Sequence, residues 1–216
     1  MNIVIIDMAV GNVGSVLEAF RRVGAVVEIA RAGNELAEAD MVILPGVGAF
    51  GDGMRSLEQQ KLIDPLRRFA ADNRGLLLGI CLGMQLLAER GFEYGEHRGL
   101  GLIRGSAVRL QAADPSARVP NVGWRDVTVT RPSTWLGEMR TGSCFYFAHS
   151  YWLEPSDSND VAATFDHGVP NTAAVESKNV VGVQFHPEKS QDAGLDLLAS
   201  MVHKMSVRRT PAQVVC

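Results

Sequence analysis

The chain has 216 residues, of which 46% are apolar and 21% are charged, and its formal net charge is −3. This composition is typical of a globular protein with one sizeable core. The slight negative charge argues against a nucleic-acid-binding surface, and the apolar runs are too short to span a membrane. Cys81, Cys144 and Cys216 are too few and too widely spaced for a disulfide framework, so a reducing, cytoplasmic environment is expected.

Strands and helices alternate in the first half of the chain. Short, continuously apolar runs predict buried strands, and apolar residues at helical spacing predict helices. The predicted strands cover residues 2–7, 25–29, 41–44 and 76–80, and the predicted helices cover residues 13–23, 57–69 and a segment that begins near residue 83. Alternating strands and helices predict a parallel sheet with helices on both faces.

Short β-like segments separated by turn residues dominate the second half. They cover residues 102–110, 126–130, 144–148, 161–165, 172–176 and 180–185, and a last helix follows over 193–205. The expected fold class is therefore α/β, a flavodoxin-like three-layer sandwich whose central, mostly parallel sheet has an antiparallel extension in the C-terminal half. We expect one domain over residues 1–207 and a frayed tail over 208–216.

The segment around Cys81 carries the most informative motif. A buried strand leads into this cysteine, a helix follows, and Gly79 and Gly83 flank it in the G-x-nucleophile-x-G pattern of a nucleophile elbow. Such a turn strains the backbone of its central residue and places the thiol at a helix N-terminus, which favours the thiolate. A buried cysteine in an apolar strand is the commoner situation and describes Cys144 well. A structural cysteine has no need of paired glycines, so Cys81 is predicted to be a nucleophile.

A thiol nucleophile needs a base, and His186 is the best candidate among the five histidines. It follows the apolar run 180–185 and precedes Pro187 and Glu188. Proline holds the preceding residue in an extended conformation, in which residues i and i+2 project to the same side. Glu188 can then bind one imidazole nitrogen while the other faces the thiol, as in a catalytic triad. A turn histidine at a strand end is an equally good interpretation of His186 alone, and its pairing with Cys81 favours catalysis.

Four motifs carry a resemblance to a known family. In chain order they are Pro45-Gly46-Val47-Gly48, Gly79-Ile80-Cys81-Leu82-Gly83-Met84-Gln85, Tyr146-Phe147-Ala148-His149-Ser150-Tyr151 and Gln184-Phe185-His186-Pro187-Glu188-Lys189-Ser190. Together they resemble a class I (triad) glutamine amidotransferase domain, and most of all the glutaminase subunits of imidazole glycerol phosphate synthases. The resemblance spans essentially the whole chain. The second and fourth motifs are specific to the class, and the first and third narrow it to the histidine-pathway subunits and their near relatives.

The resemblance implies a catalytic role for each matching residue. Cys81 is the expected nucleophile, His186 the base and acid, and Glu188 the residue that orients His186. The backbone amides of Val47 and Leu82 are expected to form the oxyanion hole, and a peptide flip at Val47 is part of that expectation. The implied reaction is hydrolysis of glutamine to glutamate through a Cys81 thioester, with no metal and no cofactor.

The resemblance also implies which residues bind the substrate and the partner. The residues expected to hold glutamine are Gly48, Gln85, Glu93, His149 and Ser150. The expected partner is a cyclase subunit of (β/α)8-barrel fold, which forms a heterodimer with this chain and receives the ammonia for histidine biosynthesis. The residues expected to face that partner are Asn12, Trp124 and Tyr146.

Two segments depart from the family pattern, and both are expected on the partner face. Met8 and Ala9 stand where the family usually has Tyr-Gly after the aspartate, and Arg125 stands where Asn is usual after Trp124. None of these residues belongs to the expected triad, so the departures affect the expected identity of the partner and not the expected chemistry.

Three other functions remain open at this point. A cysteine peptidase or a redox-responsive hydrolase could be built on a similar sheet, although the motif His186-Pro187-Glu188 disfavours it. A non-catalytic interaction module could retain the fold, although the intact triad argues against that. Finally, the same glutaminase chemistry could serve a paralogous synthase that makes nitrogen-containing surface sugars.

Overall fold

A computed structural model of the chain describes residues 1–8, 13–30, 32–111 and 118–209. Within these ranges the α-helices are α1 (Val13–Arg22), α2 (Phe50–Gln59), α3 (Ile63–Asp72), α4 (Leu82–Leu86) and α5 (Gln191–Arg209). The strands of the first half are β1 (Ile3–Ile6), β2 (Val27–Ala30), β3 (Met41–Gly46), β4 (Leu76–Cys81), β5 (Arg90–Gly91), β6 (His97–Arg98) and β7 (Gly105–Arg109). The strands of the second half are β8 (Asn121–Val129), β9 (Cys144–His149), β10 (Tyr151–Pro155), β11 (Val161–Asp166), β12 (Pro170–Ser177) and β13 (Val180–Val183).

Nine of these strands form one central sheet, in the order β2-β1-β3-β4-β13-β12-β11-β8-β9. The first five strands in that order are parallel to one another. The other four continue the sheet in antiparallel pairs. The predicted α/β class, with a mostly parallel sheet and an antiparallel extension in the C-terminal half, is therefore confirmed.

Two hydrophobic cores lie on opposite faces of this sheet. Ile3 and Ile5 of β1 belong to one core, together with apolar residues of α1 and α5. Val4 and Ile6 belong to the other, together with residues of α2, α3 and α4. Successive strand residues point to opposite faces, so a strand that is covered on both faces must be apolar throughout. Among the helices of the described ranges, none has both the length and the apolarity that crossing a bilayer requires.

Four further strands form a separate small sheet, in the order β10-β7-β5-β6. Its longest pairing is antiparallel, with Tyr151 opposite Arg109 and Pro155 opposite Gly105. The assignment of residues 102–110 to the extension of the main sheet is therefore wrong, and β10 was not predicted at all. Local patterning does not encode which strands pair when more than forty residues separate them.

The helix predicted over residues 57–69 is two helices in the structure. Lys61 adopts a left-handed conformation, with φ of 56°, between α2 and α3. The amide of Leu62 then donates to the carbonyl of Leu57 at 2.8 Å, which closes the end of α2. The physical reason is Pro65, because a proline inside a continuous helix would lack a backbone donor and collide with the carbonyl of Lys61. Proline is tolerated within the first turn of α3.

The carboxyl ends of three parallel strands meet at one edge of the main sheet. Gly46 at the end of β3 lies opposite Cys81 at the end of β4, and Val183 at the end of β13 lies opposite Ile80. The strand β3 continues through Pro45, where the sequence predicted a break. Its pairing with β1 stops at Ile43, so the missing N–H of proline takes no hydrogen bond from that neighbouring strand.

The last helix continues to Arg209, two residues into the segment that was expected to fray. The guanidinium carbon of Arg208 lies 5.2 Å from the centre of the Trp135 ring, which anchors this end of α5. The rest of the predicted tail, residues 210–216, lies outside the described residues.

Candidate active site

Cys81 has the backbone strain that a nucleophile elbow requires. Its φ of 53° and ψ of −109° are rarely adopted by a residue with a side chain. Both flanking glycines are needed for this geometry. A Cβ atom on Gly79 would lie 2.7 Å from the carbonyl oxygen of Gly83, and a Cβ atom on Gly83 would lie 1.7 Å from the carbonyl oxygen of Leu44. The helix α4 can therefore lie this close to both β4 and β3 only because these two positions carry no side chain.

We predict that Gly83→Ala lowers the free energy of unfolding by about 3 kcal/mol or more, because the new methyl group meets backbone rather than a movable side chain. Denaturant unfolding measures this. The matched control is Gly53→Ala in α2, where the new Cβ meets only leucine methyl groups at 3.0 to 3.3 Å. We expect that control to change the stability by about 1 kcal/mol at most. Equal stabilities of the two variants would contradict the close approach at the elbow.

His186 follows β13 and lies within hydrogen-bonding reach of the Cys81 thiol. Its Nδ1 lies 2.8 Å from Oε1 of Glu188, and both side chains are almost completely buried. His186 itself is extended, as expected, but Pro187–Lys189 form a 3-10 turn rather than a continued strand. Burial alone would lower the pKa of His186, but the hydrogen bonds with Cys81 and Glu188 raise it to about 10. The ring is thus held as a cation between a sulfur and a carboxylate.

A cavity of about 420 Å³ opens beside Cys81 and brings together most of the residues singled out from the sequence. The predicted site residues that line it are Val47, Gly48, Cys81, Leu82, Gln85, Glu93, His149 and Ser150. His186 and Glu188 lie behind the sulfur instead of lining the cavity wall. A larger cavity of about 870 Å³, between β7, β10 and β12, contains none of the predicted site residues. The smaller cavity is therefore the candidate site, because most of the predicted site residues line it, although the other cavity has the larger volume.

The side chain of Gln85 is held by a backbone carbonyl. Its Nε2 donates to the carbonyl oxygen of Tyr151 at 2.7 Å and to Oε1 of Gln184 at 3.2 Å. Both amide hydrogens are then directed into the protein, so the oxygen is the atom that Gln85 can offer to a ligand. Gln184 in turn directs its Nε2 to the sulfur of Cys81, at 3.7 Å.

His149 has both ring nitrogens engaged inside the protein. Arg125 can only donate, and its Nε bonds Oδ1 of Asn121 at 3.1 Å, so the amide nitrogen of Asn121 faces Nε2 of His149. Nδ1 must then carry the proton that His149 donates to the Tyr151 carbonyl, at 2.9 Å. Burial lowers the pKa of His149 to about 4, against the opposing effect of that hydrogen bond. His149 is therefore a neutral part of the cavity wall.

Glu93 connects the cavity to the first turn of α2. Its Oε2 accepts a hydrogen bond from the amide of Phe50 at 2.9 Å. Burial raises the pKa of the Glu93 carboxyl, and this hydrogen bond opposes the effect. The amide of Phe50 lies three residues beyond Val47, so the same carboxylate lines the cavity and holds the end of the predicted oxyanion turn.

A family model described as glutamine amidotransferase class-I matches residues 4–205. The chain belongs to the class-I glutamine amidotransferase family. The resemblance found in the four motifs is thereby confirmed.

Proteins of similar sequence and a solved structure agree with this family assignment. The imidazole glycerol phosphate synthase subunit HisH of Aquifex aeolicus is 40% identical over 205 residues, which cover 94% of this chain and 97% of that protein. The subunit of the same name from Bacillus subtilis is 44% identical over 197 residues, which cover 90% and 92%. A crystal structure described as a glutamine amidotransferase superposes with a TM-score of 0.73 at 19% identity, over 94% of this chain and 98% of that one. At that identity the likeness concerns the fold.

The predicted partner face of this amidotransferase lies on β8 and β9. Trp124 is 41% exposed and meets Tyr146 edge-on, with ring centres 5.9 Å apart. Asn12 and Ala9 lie outside the described residues. The expectation that Met8 belongs to this face is wrong, because its side chain is 1% exposed. Its terminal methyl group lies beside Gly46, where an added Cβ atom would approach it to 2.6 Å, so Met8 supports the strand end that precedes the oxyanion turn.

Sequence reasoning missed two polar residues of this amidotransferase site. Gln184 was quoted only as part of a motif, and Asn121 was not singled out. Both interrupt otherwise apolar or alternating strands and are almost completely buried. A buried amide needs partners, and this is the signal that could have identified them. Within the described ranges, no group of three or more His, Cys, Asp or Glu side chains is arranged to hold a metal ion.

Proposed function

We propose that this chain is the glutaminase subunit of an imidazole glycerol phosphate synthase. It hydrolyses glutamine to glutamate and passes the ammonia to a cyclase subunit. The observation that carries the proposal is the contact of a strained cysteine with an imidazole, which a buried carboxylate orients, beside a cavity lined by Glu93 and Gln85. The assignment to imidazole glycerol phosphate synthase is supported by the names of the similar HisH subunits. A cytoplasmic location remains a prediction.

The first half of the reaction forms a thioester. The Cys81 thiolate attacks the carboxamide carbon of glutamine, and the carbonyl electrons move to oxygen. The amides of Val47 and Leu82 are the proposed donors to that oxyanion. His186 then gives its proton to the departing nitrogen, so ammonia leaves and a γ-glutamyl thioester remains.

The second half regenerates the enzyme. His186, now neutral, takes a proton from water as the water attacks the thioester. The tetrahedral intermediate expels the Cys81 thiolate and releases glutamate, and His186 retains the proton that pairs with the sulfur. Glu188 stabilises the imidazolium in both halves through its hydrogen bond with Nδ1. Each step uses only side chains, backbone amides and water.

The charges of the cavity suit the amino-acid end of glutamine. Glu93 places a carboxylate in the wall, where it can bind the α-ammonium group. Gln85 offers an oxygen, which accepts from an N–H group. His149 presents its ring and not a free nitrogen, so we assign it to shape and orientation rather than to a direct polar contact.

The turn between β3 and α2 is the proposed switch. Gly46 is confined between Met8 and Leu82, whereas a Cβ atom on Gly48 would meet nothing within 4 Å. Gly48 also has φ of 95°, a conformation that glycine adopts at low cost. The N–H of Val47 belongs to the peptide between Gly46 and Val47, and the proposed switch is a rotation of that peptide. Gly48 can absorb the accompanying change of the backbone at low steric cost.

We predict that the isolated chain hydrolyses glutamine slowly, and that a cyclase subunit with its bound ligand raises the turnover number by about 100- to 1000-fold, the usual effect of one oxyanion donor. The KM for glutamine should change much less, because such a donor acts on the transition state. Steady-state kinetics of the chain alone, with the cyclase, and with the cyclase plus ligand measure this.

Three results would count against parts of this proposal. Full turnover by the isolated chain would refute the proposed switch at Val47 but would not contradict the proposed catalytic triad. Activation through KM alone would refute the oxyanion explanation. A chain that neither co-purifies with the histidine-pathway cyclase nor responds to it would favour a synthase of nitrogen-containing sugars as the partner.

A further inference from the structure

Gln184 touches the reacting sulfur and has no role in the mechanism described above. Its Nε2 lies 3.7 Å from the sulfur of Cys81, within the range of an N–H hydrogen bond to sulfur. We propose that Gln184 donates this hydrogen bond to the Cys81 thiolate and so extends the range of pH in which the cysteine is nucleophilic. The inference rests on the proposed function, in which Cys81 is the nucleophile.

The orientation of the Gln184 amide follows from its neighbours. The carbonyl oxygen of Tyr151 can only accept, so the atom of Gln85 that faces it must be the amide nitrogen. That same nitrogen faces Gln184 at 3.2 Å, and the atom of Gln184 on that side must therefore be its oxygen. The nitrogen of Gln184 is left to face the sulfur. A backbone carbonyl thus determines that a donor, and not an acceptor, is directed at Cys81.

Gln184 is also fixed in position. It is completely buried, in line with β13, and its backbone amide donates to the carbonyl of Ala173 at 2.8 Å. An amide that is buried without partners is destabilising, and here both ends of the side chain have one. Because Gln184 is absent from the cavity wall, it is placed to act on the sulfur rather than on the substrate.

The hydrogen bond favours the charged form of sulfur. A donor binds a charged acceptor more strongly than a neutral one, so Gln184 stabilises the thiolate relative to the thiol and to the thioester. The thiolate occurs twice in the cycle, before the attack on glutamine and again when water has cleaved the thioester. The other titratable groups around the sulfur are His186 with Glu188 behind it and, in the cavity, Glu93, Tyr94, His149 and Tyr151.

The test is the pH dependence of the alkylation of Cys81 by iodoacetamide, which needs no glutamine. Mass spectrometry of the tryptic peptide 75–90 separates Cys81 from the other two cysteines. Gln184→Met keeps the length of the side chain but has no hydrogen-bond donor. Gln184→Asn moves the donor away from the sulfur by one methylene group, and it replaces the first variant if that one fails to fold. The control is Asn179→Leu, which removes a buried amide that donates to Gly75 at 2.8 Å, away from the sulfur.

We expect both Gln184 variants to move the acid limb of the alkylation profile upward by about one pH unit, the effect of one hydrogen bond to a charged group. The Asn179→Leu profile should match that of the parent. In the complex, the Gln184 variants should lose turnover with little change in KM. Folded Gln184 variants with the parental profile would overturn the inference alone. Alkylation that spares peptide 75–90 would overturn the proposed function as well.

Discussion

Replacing Cys81 with alanine is expected to abolish glutaminase activity, with a loss of about 10⁴-fold or more in turnover. The thioester cannot form without the sulfur, and no other described cysteine lines the cavity. The assay is glutamate release by the activated complex at saturating glutamine. Alanine keeps the Cβ atom and fits the same backbone conformation as cysteine, so the variant should keep the fold, and its thermal unfolding midpoint checks this.

The control for this experiment is Cys144→Ala. Cys144 is half-buried at the start of β9, and burial raises the pKa of its thiol, with further contributions from Asp126. It is therefore a poorly ionised cysteine outside the cavity, and the variant should turn over at the parental rate. Activity that survives in Cys81→Ala would eliminate the thioester mechanism, whatever the result at Cys144.

The second large effect is expected at His186. His186→Ala removes the group that we propose as both base and acid, so it should lower turnover by about 10⁴-fold. Glu188→Gln should retain at least about tenfold more activity than His186→Ala, because an amide oxygen can still accept from Nδ1 and hold the ring. The lost charge nevertheless weakens the stabilisation of the imidazolium, since Glu188 contributes to the raised pKa of His186.

The geometry around Glu188 makes this comparison informative. Oε1 binds His186, while Oε2 is buried without a hydrogen-bond partner among the described residues. In the Glu188→Gln variant, the new side-chain amide can therefore direct its oxygen to the imidazole of His186 without breaking another hydrogen bond. Both variants are measured in the activated complex at saturating glutamine. Equal losses, or a larger loss in Glu188→Gln, would mean that the two roles are assigned wrongly.

Local features of the site could be predicted because neighbouring residues determine them. The elbow needs only Cys81, its two glycines, a strand before it and a helix after it, and the glycines allow the turn because a Cβ atom at either position would collide with the backbone. The hydrogen bond of His186 with Glu188 is similarly local, although a 3-10 turn rather than an extended segment produces it.

Features that depend on distant pairing could not be predicted in the same way. The small sheet forms because β10 pairs with β7, and the Gln184 hydrogen bond forms because β13 lies beside β4. The break at Lys61 is a different case, since Pro65 conflicts with a continuous helix and is a local signal for the break.

The sequence by itself therefore determined the class of fold, the elbow at Cys81, and the family to which the chain belongs. Only the tertiary structure decided how the two motif histidines differ. His186 is placed against Cys81 and becomes a cation, while His149 is enclosed between Asn121 and a carbonyl and stays neutral. The reason is that an imidazole has nearly equal protonated and neutral forms near neutral pH. Burial and hydrogen-bond partners decide between them, and both arise from packing between segments that are far apart in the chain.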